Sequence, residues 1–257
     1  MSLRIAMAAC VFRSVEMLAV ARACGFDVLI ADMEHGSMSL GEVATLCVAG
    51  IEAGFPVHVR VPGVRSDDLS RVVDCGASAV IIPHVDSVEE ARLIVEKTRF
   101  APLGRRSIPS PLAVASFRPQ SVDVLVAQAE RSFDVFVMIE SREGLAVVEL
   151  IAALEGIDGL IIGANDLADS LGHRGDLAHP DILTAFVQIA GAAKQSGRML
   201  GVMGLPPTLL RSHALDLGAA YVLAANDINL IHDAGAARVA EVRSIAAAPA
   251  AQSRMEN

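Results

Sequence analysis

Eight short apolar runs recur along the chain, and a segment with helical spacing follows each of them. The runs are nearly continuous in apolar residues, as the strands of a parallel sheet are when both faces are covered by helices. The runs predict strands at 4–8, 27–31, 57–61, 78–82, 134–139, 158–162, 199–203 and 220–224. The intervening segments predict helices at 14–24, 39–53, 66–74, 88–98, 121–131, 142–154, 165–171, 180–196, 206–217 and 227–246.

The alternation of strands and helices indicates an α/β protein. Eight parallel strands favour a closed (β/α)8 TIM barrel over an open doubly wound sheet, and no change in composition marks a linker. We therefore predict one barrel domain over residues 1–246 and a flexible C-terminal tail over 247–257. Residues 99–119 interrupt the alternation with four prolines and a glycine, and we expect a lid or a binding loop there.

The composition limits the classes of partner. The chain has 257 residues, of which 53% are hydrophobic and 20% charged, so a large core is available. The net charge of −9, without a Lys/Arg-rich run, argues against nucleic acid and anionic membrane as partners. No stretch approaches the ~20 apolar residues of a membrane span, and the apolar N-terminus is interpreted as a strand, so we expect a cytoplasmic protein. The four cysteines are widely spaced and are expected to be buried thiols.

Polar residues follow the second, third, fifth and sixth predicted strands directly. In a (β/α)8 barrel these strand ends lie on one face, which carries the active site, so we expect their side chains to converge there. No glycine-rich phosphate-binding motif follows any strand. The residues are Asp32, Glu34 and His35 after the second strand, Arg60 at the end of the third, Glu140 after the fifth and Gly163, Ala164, Asn165 and Asp166 after the sixth.

These residue types suit one kind of chemistry. Glu140 and Asp166 offer two carboxylates from different strands, which suits a hard divalent cation such as Mg²⁺. Arg60 offers a fixed cationic group for a carbonyl or enolate oxygen. His35 is the natural proton carrier, because an unperturbed imidazole titrates near neutrality, and Asp32 or its neighbour Glu34 would orient it.

The segment Gly163–Asp166 has a glycine and a predicted helix start, so its backbone N–H groups would suit a substrate carboxylate.

Each residue also has a purely structural interpretation. Glu140 alone resembles a helix cap or a surface charge, and Asp166 an N-cap. Arg60 would pair with Asp32, and His35 would be an ordinary loop residue. We favour the functional interpretation because all five lie on one predicted rim.

Two further histidines carry less weight. His58 shares the inward face with Arg60 and is expected to fill the barrel, whereas His84 follows the fourth strand and is a weaker candidate for the rim. The only two lysines, Lys97 and Lys194, lie on predicted helices, which argues against a Schiff-base mechanism.

Several segments resemble the HpcH/HpaI aldolase/citrate lyase family, and most closely its class II pyruvate-type aldolases. They span about residues 20–230, and their order and spacing both fit. The most specific are D-x-E-H-G and I-G-x-x-D-L-x-x-S-L-G, which stand here as DMEHG and IGANDLADSLG. Further matching segments are VRVP, DCGASAVIIPHVDSVEEA, TRFAPLGRR, MIESREGL and LGAAYVLAANDINLI.

The resemblance implies a role for each matching position. His35 matches the catalytic histidine and Asp32 the acid beside it, and Arg60 matches the arginine that holds the oxo acid and its enolate. The remaining positions follow as a list: Glu140 and Asp166 match the two metal ligands, Gly163, Ala164 and Asn165 match the segment whose amides receive the pyruvate carboxylate, and Asp74 matches an acid that reaches a neighbouring subunit's site.

Met138 departs from the family pattern. The family has glutamine two residues before the glutamate ligand, and strand alternation predicts that Met138 faces the same side as Glu140. An apolar thioether therefore replaces an amide beside the metal, and we expect Met138 to reshape the substrate pocket. The family's Gly-Pro-Ala-Asp is Gly-Ala-Asn-Asp here, with the same expected effect.

Together these observations predict a class II aldehyde-lyase. The resemblance implies cleavage of a 4-hydroxy-2-oxo acid to pyruvate and an aldehyde, with Mg²⁺, Mn²⁺ or Co²⁺ as the cofactor. It also implies a homo-oligomer, with a hexamer favoured, in which the last helix is exchanged between subunits. Two alternatives stay open: an acyl-CoA or citrate-type lyase of the same superfamily, and a catalytically impaired binding barrel.

Overall fold

Eight parallel strands close into a barrel in which each strand pairs with the next and the last pairs with the first. The computed structural model describes residues 2–110 and 112–247. The predicted (β/α)8 barrel is confirmed. The strands are β1 Arg4–Ala9, β2 Val28–Asp32, β3 Val57–Arg60, β4 Ala79–Ile82, β5 Asp134–Ile139, β6 Gly159–Gly163, β7 Met199–Met203 and β8 Tyr221–Asn226.

The helices follow the predicted order with two differences. The predicted helix 142–154 breaks at Val147, whose φ of −119° and ψ of 13° leave the helical region. The predicted helix 206–217 is a series of short turns, because the backbone leaves the helical region at Ala214, with a φ of −133° and a ψ of −65°. The α-helices of the described residues are α1 Val15–Ala23, α2 Leu40–Ala53, α3 Leu69–Asp74, α4 Val88–Thr98, α5 Val122–Arg131, α6 Arg142–Ala146, α7 Val148–Ala152, α8 Ala164–Ser170, α9 Pro180–Gln195, α10 Leu210–His213 and α11 Asp227–Ala247.

Local sequence explains where α2 begins and ends. The Ser39 hydroxyl accepts from the backbone N–H of Glu42 at 3.4 Å, and the Glu42 carboxylate accepts from the backbone N–H of Ser39 at 2.7 Å. This capping box satisfies two donors that a helix start leaves free. Gly54 ends the helix with a left-handed φ of 60°.

The strands divide their side chains between two cores. Outward-facing residues pack against the helices, and inward-facing residues fill the barrel, as the period of two along a strand requires. The inner core ends at the carboxyl ends of the strands, which we call the mouth and which carries Asp32, Arg60, Glu140 and Gly163. The inner residues are Ala6, Ala8, Val28, Ile30, Ala79, Ile81, Phe136, Met138, Ile161, Met199, Met203 and Tyr221.

The irregular segment 99–119 contains a single short 3-10 turn in its described part. Arg99 bonds to the carbonyl of Gly156 at 3.0 Å, just before β6, and Ala113 lies against Gly76, just before β4. These contacts lie at the amino ends of the strands, opposite the mouth. The prediction of a lid is therefore wrong for these anchored residues.

Helix α11 exposes almost all of its surface to solvent. Only Asp227 among its described residues is buried. A bilayer-spanning helix is not found among the described residues, since none of their helices combines the necessary length with enough apolar character. The predicted flexible tail begins at residue 247, the last residue of α11, and the rest of it lies outside the described residues. The apolar side chains that α11 exposes are Ile228, Leu230, Ile231, Val239, Val242 and Ile245.

Asp227 ties the start of α11 to the end of β1. Its carboxylate accepts from the backbone N–H groups of Cys10, Val11 and Phe12 at 3.1, 2.8 and 2.7 Å. The residue is 1% exposed, so its carboxylate relies on these three donors in place of water. Asp227 therefore fixes the β1–α1 loop where the barrel closes between β8 and β1.

We expect Asp227→Ala to lower the free energy of unfolding by about 2–4 kcal/mol, because three backbone donors of the β1–α1 loop lose a charged acceptor. Urea unfolding measures this change. The control is Asp233→Ala on the same helix, since Asp233 is exposed and pairs with exposed His232. Equal unfolding midpoints for the two variants would contradict the role of Asp227.

Candidate active site

The charged residues of the mouth continue the inward-facing rows of the strands. Asp32 stands two residues beyond Ile30, Arg60 two beyond His58, and Glu140 two beyond Met138. Because strand side chains alternate, each charged residue shares its side with the inner core below it. The predicted convergence at one mouth therefore follows from strand parity.

Asp32 and Arg60 form a buried pair across β2 and β3. The two residues are opposite each other in the sheet, and the guanidinium donates from Nε at 3.0 Å and from Nη2 at 2.5 Å. Asp32 is fully buried. Burial by itself raises the pKa of Asp32, but the hydrogen bonds and charge of Arg60 outweigh it and hold that pKa below its usual value. The carboxylate is therefore ionised and the pair is fixed.

The prediction that Asp32 orients the ring of His35 is wrong. Asp32 Oδ1 accepts from the backbone N–H groups of Glu34 and His35 at 3.0 and 3.3 Å, so it holds the loop rather than the ring. The His35 side chain is 63% exposed, and its Nε2 lies 3.8 Å from Glu34 Oε2. Asp32 therefore positions Arg60 and the loop, and Glu34 is the acid beside the imidazole.

His84 lies at the mouth, although the sequence made it only a weaker candidate for the rim. Its Nε2 lies 3.1 Å from Glu34 Oε1, and its Nδ1 lies 3.1 Å from Glu140 Oε1. Its backbone N–H also donates to Glu140 Oε1 at 2.6 Å. Glu34 further contacts Arg60 Nη1 at 3.2 Å. One continuous row of polar contacts thus runs across the mouth through Arg60, Glu34, His84 and Glu140. In the sequence, the only sign that His84 belongs to it is its position after β4.

The carboxylate of Glu140 lies against the start of α8. A Cβ built at Gly163 would lie 2.2 Å from Glu140 Oε2, so only glycine allows this approach. Burial raises the pKa of Glu140; His84 partly offsets this, while the negative charges of Glu34 and Asp166 add to it. Asp166 is an exposed residue in the first turn of α8. The two predicted metal ligands therefore lie on adjacent strand ends, and their charges act on each other.

The predicted substrate-binding residues differ in accessibility. Gly163 and Ala164 are buried, whereas Asn165 is exposed, with its Nδ2 3.5 Å from the carbonyl of Gly204. Met138 is on the same side as Glu140, as predicted, but only 2% of it is exposed. Its side chain belongs to the inner core and supports the mouth from below.

Asp74 is not part of this chain's mouth. It ends α3, shortly before β4 begins, so it lies at the amino end of the barrel. Its carboxylate pairs with buried Arg106 at 2.5 Å. Asp74 therefore does not lie with the other predicted catalytic residues of the same chain.

A second group of donors lies at the start of α9. The rings of His173 and His179 stack with centroids 3.6 Å apart, and His173 Nε2 lies 3.1 Å from Asp181 Oδ2. Nδ1 of His179 already accepts from the backbone N–H of Asp181 at 3.2 Å. The positive end of a helix disfavours a cation, so this group is better explained as a helix cap.

Cys10 differs from the other thiols in its surroundings. All four cysteines are free, but only Cys47 is buried. Cys24 is exposed and Cys10 and Cys75 are half-buried, so the prediction of four buried thiols is wrong for these three. Cys10 donates to Asp32 Oδ2 at 3.3 Å. Burial, followed by the charge and hydrogen bond of Asp32, raises the pKa of Cys10 to about 12. At neutral pH this sulfur is therefore a thiol and not a thiolate.

We expect iodoacetamide at pH 8 to label Cys24 at least about 10-fold faster than Cys10, because the thiolate is the reactive species. Peptide mass spectrometry of timed samples measures both rates. In urea the two sites should react alike, which controls for peptide detection. Equal rates in the folded protein would show that Cys10 is not held as a thiol.

Comparisons with known proteins agree with this geometry. A sequence profile of the HpcH/HpaI aldolase/citrate lyase family matches residues 12–229. The hydroxypyruvate/pyruvate aldolase of Pseudomonas aeruginosa is 34% identical over 213 residues, which cover 80% of this chain and 76% of that protein. The 5-keto-4-deoxy-D-glucarate aldolase of Escherichia coli (strain K12) is 34% identical over 222 residues, covering 86% and 84%.

A solved structure extends the likeness to nearly the whole barrel. The HpcH/HpaI aldolase from Desulfitobacterium hafniense DCB-2 is similar with a TM-score of 0.89 at 25% identity, over 97% of this chain and 95% of that chain. The profile, the relatives and the fold thus agree with the motifs of the sequence. The chain belongs to the HpcH/HpaI aldolase/citrate lyase family.

Proposed function

We propose that the chain is a class II, divalent-metal-dependent aldolase that cleaves a 4-hydroxy-2-oxo acid to pyruvate, or a related 2-oxo acid, and an aldehyde. The observation that carries the proposal is the mouth itself. Two carboxylates, Glu140 and Asp166, stand on neighbouring strand ends, and a fixed arginine, Arg60, is linked to Glu140 through Glu34 and His84. The relatives at 34% identity are both named as aldolases.

The donor set at Glu140 and Asp166 fits a hard divalent cation. Carboxylate oxygens are the ligands that Mg²⁺ and Mn²⁺ prefer, and one or two protein carboxylates are typical for Mg²⁺. Gly163 gives Glu140 Oε2 the space to face the start of α8, where Asp166 lies. When bound there, such a cation supplies Lewis-acid stabilisation of the negative charge that develops on a 2-oxo acid.

Arg60 is prepared to bind an oxygen of the substrate. A guanidinium has five N–H groups. Two of them donate to Asp32, and Nη1 lies 3.2 Å from Glu34. One N–H therefore remains on each terminal nitrogen. The arginine is held before substrate arrives, so little reorganisation is needed to stabilise an enolate oxygen.

His35 is the proposed base. Its imidazole takes the proton of the 4-hydroxyl group, the C3–C4 bond breaks, and the electron pair of that bond passes into the ketone to give an enolate. The imidazolium can then return the proton to C3, which yields the 2-oxo acid. The Glu34 carboxylate, 3.8 Å from Nε2 in the free chain, stabilises the protonated ring.

The start of α8 is the proposed site for the substrate carboxylate. Gly163, Ala164 and Asn165 present backbone N–H groups next to the Glu140 side chain. Met138 supports this region from the inner core, where its apolar thioether shapes the floor under the substrate.

We also propose a homo-oligomer, with a hexamer favoured, in which α11 packs on a neighbouring subunit. The apolar side chains that α11 exposes support this, since a monomer gains nothing by exposing them. The position of Asp74 at the amino end of its own barrel is consistent with a role at a neighbour's mouth.

An acyl-CoA or citrate-type lyase is less well supported. The named relatives at 34% identity are aldolases for small 2-oxo acids. The mouth also retains Glu140, Asp166, Arg60 and His35 together, which disfavours an impaired binding barrel. Cytoplasmic localisation stays a prediction.

We expect the chain to release pyruvate from at least one 4-hydroxy-2-oxo acid in a screen of varied chain lengths, with pyruvate measured by a coupled dehydrogenase assay. EDTA should abolish activity, and Mg²⁺, Mn²⁺ or Co²⁺ should restore it, because the enolate charge requires a Lewis acid. Glu140→Gln should need at least about 10-fold more metal for half-maximal activity.

The matched control is Glu143→Gln, three residues further on, because Glu143 is exposed in α6. It should behave as the unaltered protein. Full activity after exhaustive chelation would refute the metal assignment.

The role of Arg60 can be tested without an aldehyde. We expect Arg60→Ala to slow the exchange of pyruvate methyl protons with deuterated solvent by about 10²- to 10³-fold, because the enolate loses a preorganised donor. Proton NMR measures the exchange. Mn²⁺ binding should persist, and Arg60→Lys should show a smaller loss. Unchanged exchange in a folded Arg60→Ala protein would exclude the enolate role.

A further inference from the structure

His84 has a backbone conformation that side chains rarely adopt. Its φ is 54°, in the left-handed region that favours glycine. Pro83 precedes it, and the N–H of Val85, which is fully buried, donates to the carbonyl of Met138 at 3.4 Å. The turn is thus held from both sides, and a strained residue at a functional rim points to a role for its side chain.

Two nitrogens of His84 lie beside one carboxylate oxygen. The backbone N–H of His84 reaches Glu140 Oε1 at 2.6 Å, and the ring Nδ1 lies 3.1 Å from the same atom. The opposite oxygen of Glu140, Oε2, faces Gly163 and the start of α8.

The other ring nitrogen acts at a different carboxylate. Nε2 of His84 lies 3.1 Å from Glu34 Oε1, while Glu34 Oε2 lies 3.2 Å from Arg60 Nη1. The Glu34 and Glu140 side chains are only 10% and 2% exposed, so water offers them little alternative bonding. Among the described residues, His84 therefore joins the proposed metal ligand to Glu34, the second carboxylate beside Arg60.

We propose that His84 is a positioning residue of this site, which turns Glu140 Oε2 toward the divalent cation and, through Glu34, aligns Arg60 with the substrate. This inference rests on the proposed aldolase function. Groups that hydrogen-bond a ligating carboxylate commonly set its affinity for the metal. His84 thereby couples two binding events, that of the cation at Glu140 and that of the oxo acid at Arg60.

Two substitutions separate these contacts. Glycine and asparagine both tolerate a left-handed φ, and both keep the backbone N–H that reaches Glu140. His84→Gly removes both ring contacts. His84→Asn retains an N–H donor in place of Nδ1 near Glu140 but is too short to reach Glu34.

The primary readout is Mn²⁺ affinity, measured from the EPR signal of free Mn²⁺ in titrations of the full chain. We expect the Kd to rise about 10- to 100-fold in His84→Gly and to stay within about threefold in His84→Asn. For His84→Asn we also expect the KM for the 2-oxo acid to rise about 10-fold, because Arg60 loses the support of a fixed Glu34.

Ser116→Gly is the matched control. Ser116 has a φ of 50°, is exposed and lies in segment 99–119, away from the mouth. The substitution relieves the same kind of backbone strain without altering the site. The Mn²⁺ affinity of this variant should therefore equal that of the unaltered protein. Thermal unfolding of all variants checks that they are folded.

The outcomes distinguish this inference from the function on which it rests. If the unaltered chain binds no Mn²⁺, the proposed function fails and the inference with it. If the unaltered chain binds Mn²⁺ and folded His84→Gly binds it within twofold, only the role of His84 is refuted. An equal loss of affinity in His84→Asn and His84→Gly would refute the assignment to the Nδ1 contact.

Discussion

The closed barrel buries charge at its mouth, and each buried charge there has to be compensated. Asp32 is completely removed from solvent, which is costly for a carboxylate unless a partner is fixed beside it. Arg60 provides that partner through two parallel hydrogen bonds, since the two residues face each other across β2 and β3. Stability and the proposed chemistry thus require the same contact: the pair that neutralises Asp32 also holds the guanidinium that we propose binds the substrate.

The interior below the mouth is polar in places but uncharged. His58 stacks on Tyr221 with ring centroids 5.5 Å apart, and its Nδ1 lies 3.1 Å from the phenolic oxygen. Burial, with a smaller contribution from the charge of Arg4, lowers the pKa of His58 to about 3, so the ring is neutral. The prediction that His58 fills the barrel is confirmed. The described residues of the inner core are thus uncharged, and the ion pair of Asp32 and Arg60 stands above them at the mouth.

Two glycines allow close approaches at the mouth, one to a backbone carbonyl and one to a carboxylate. A Cβ at Gly36 would lie 2.5 Å from the carbonyl oxygen of Asp32, and a Cβ at Gly163 would lie 2.2 Å from Glu140 Oε2. Both glycines belong to the two most specific motifs of the sequence, DMEHG and IGANDLADSLG. Close packing thus explains why glycine stands at these two positions of the motifs.

The sequence by itself determined the barrel and the rim, because hydrophobic periodicity and strand parity are local properties of the chain. It placed Asp32, Arg60 and Glu140 on one face for that reason. Only the tertiary structure decided which groups meet: Asp32 pairs with Arg60 instead of orienting an imidazole, and His84 joins Glu34 to Glu140. These contacts depend on distances between strands remote in sequence and on one left-handed residue after β4, and no local pattern of apolar and polar residues encodes either.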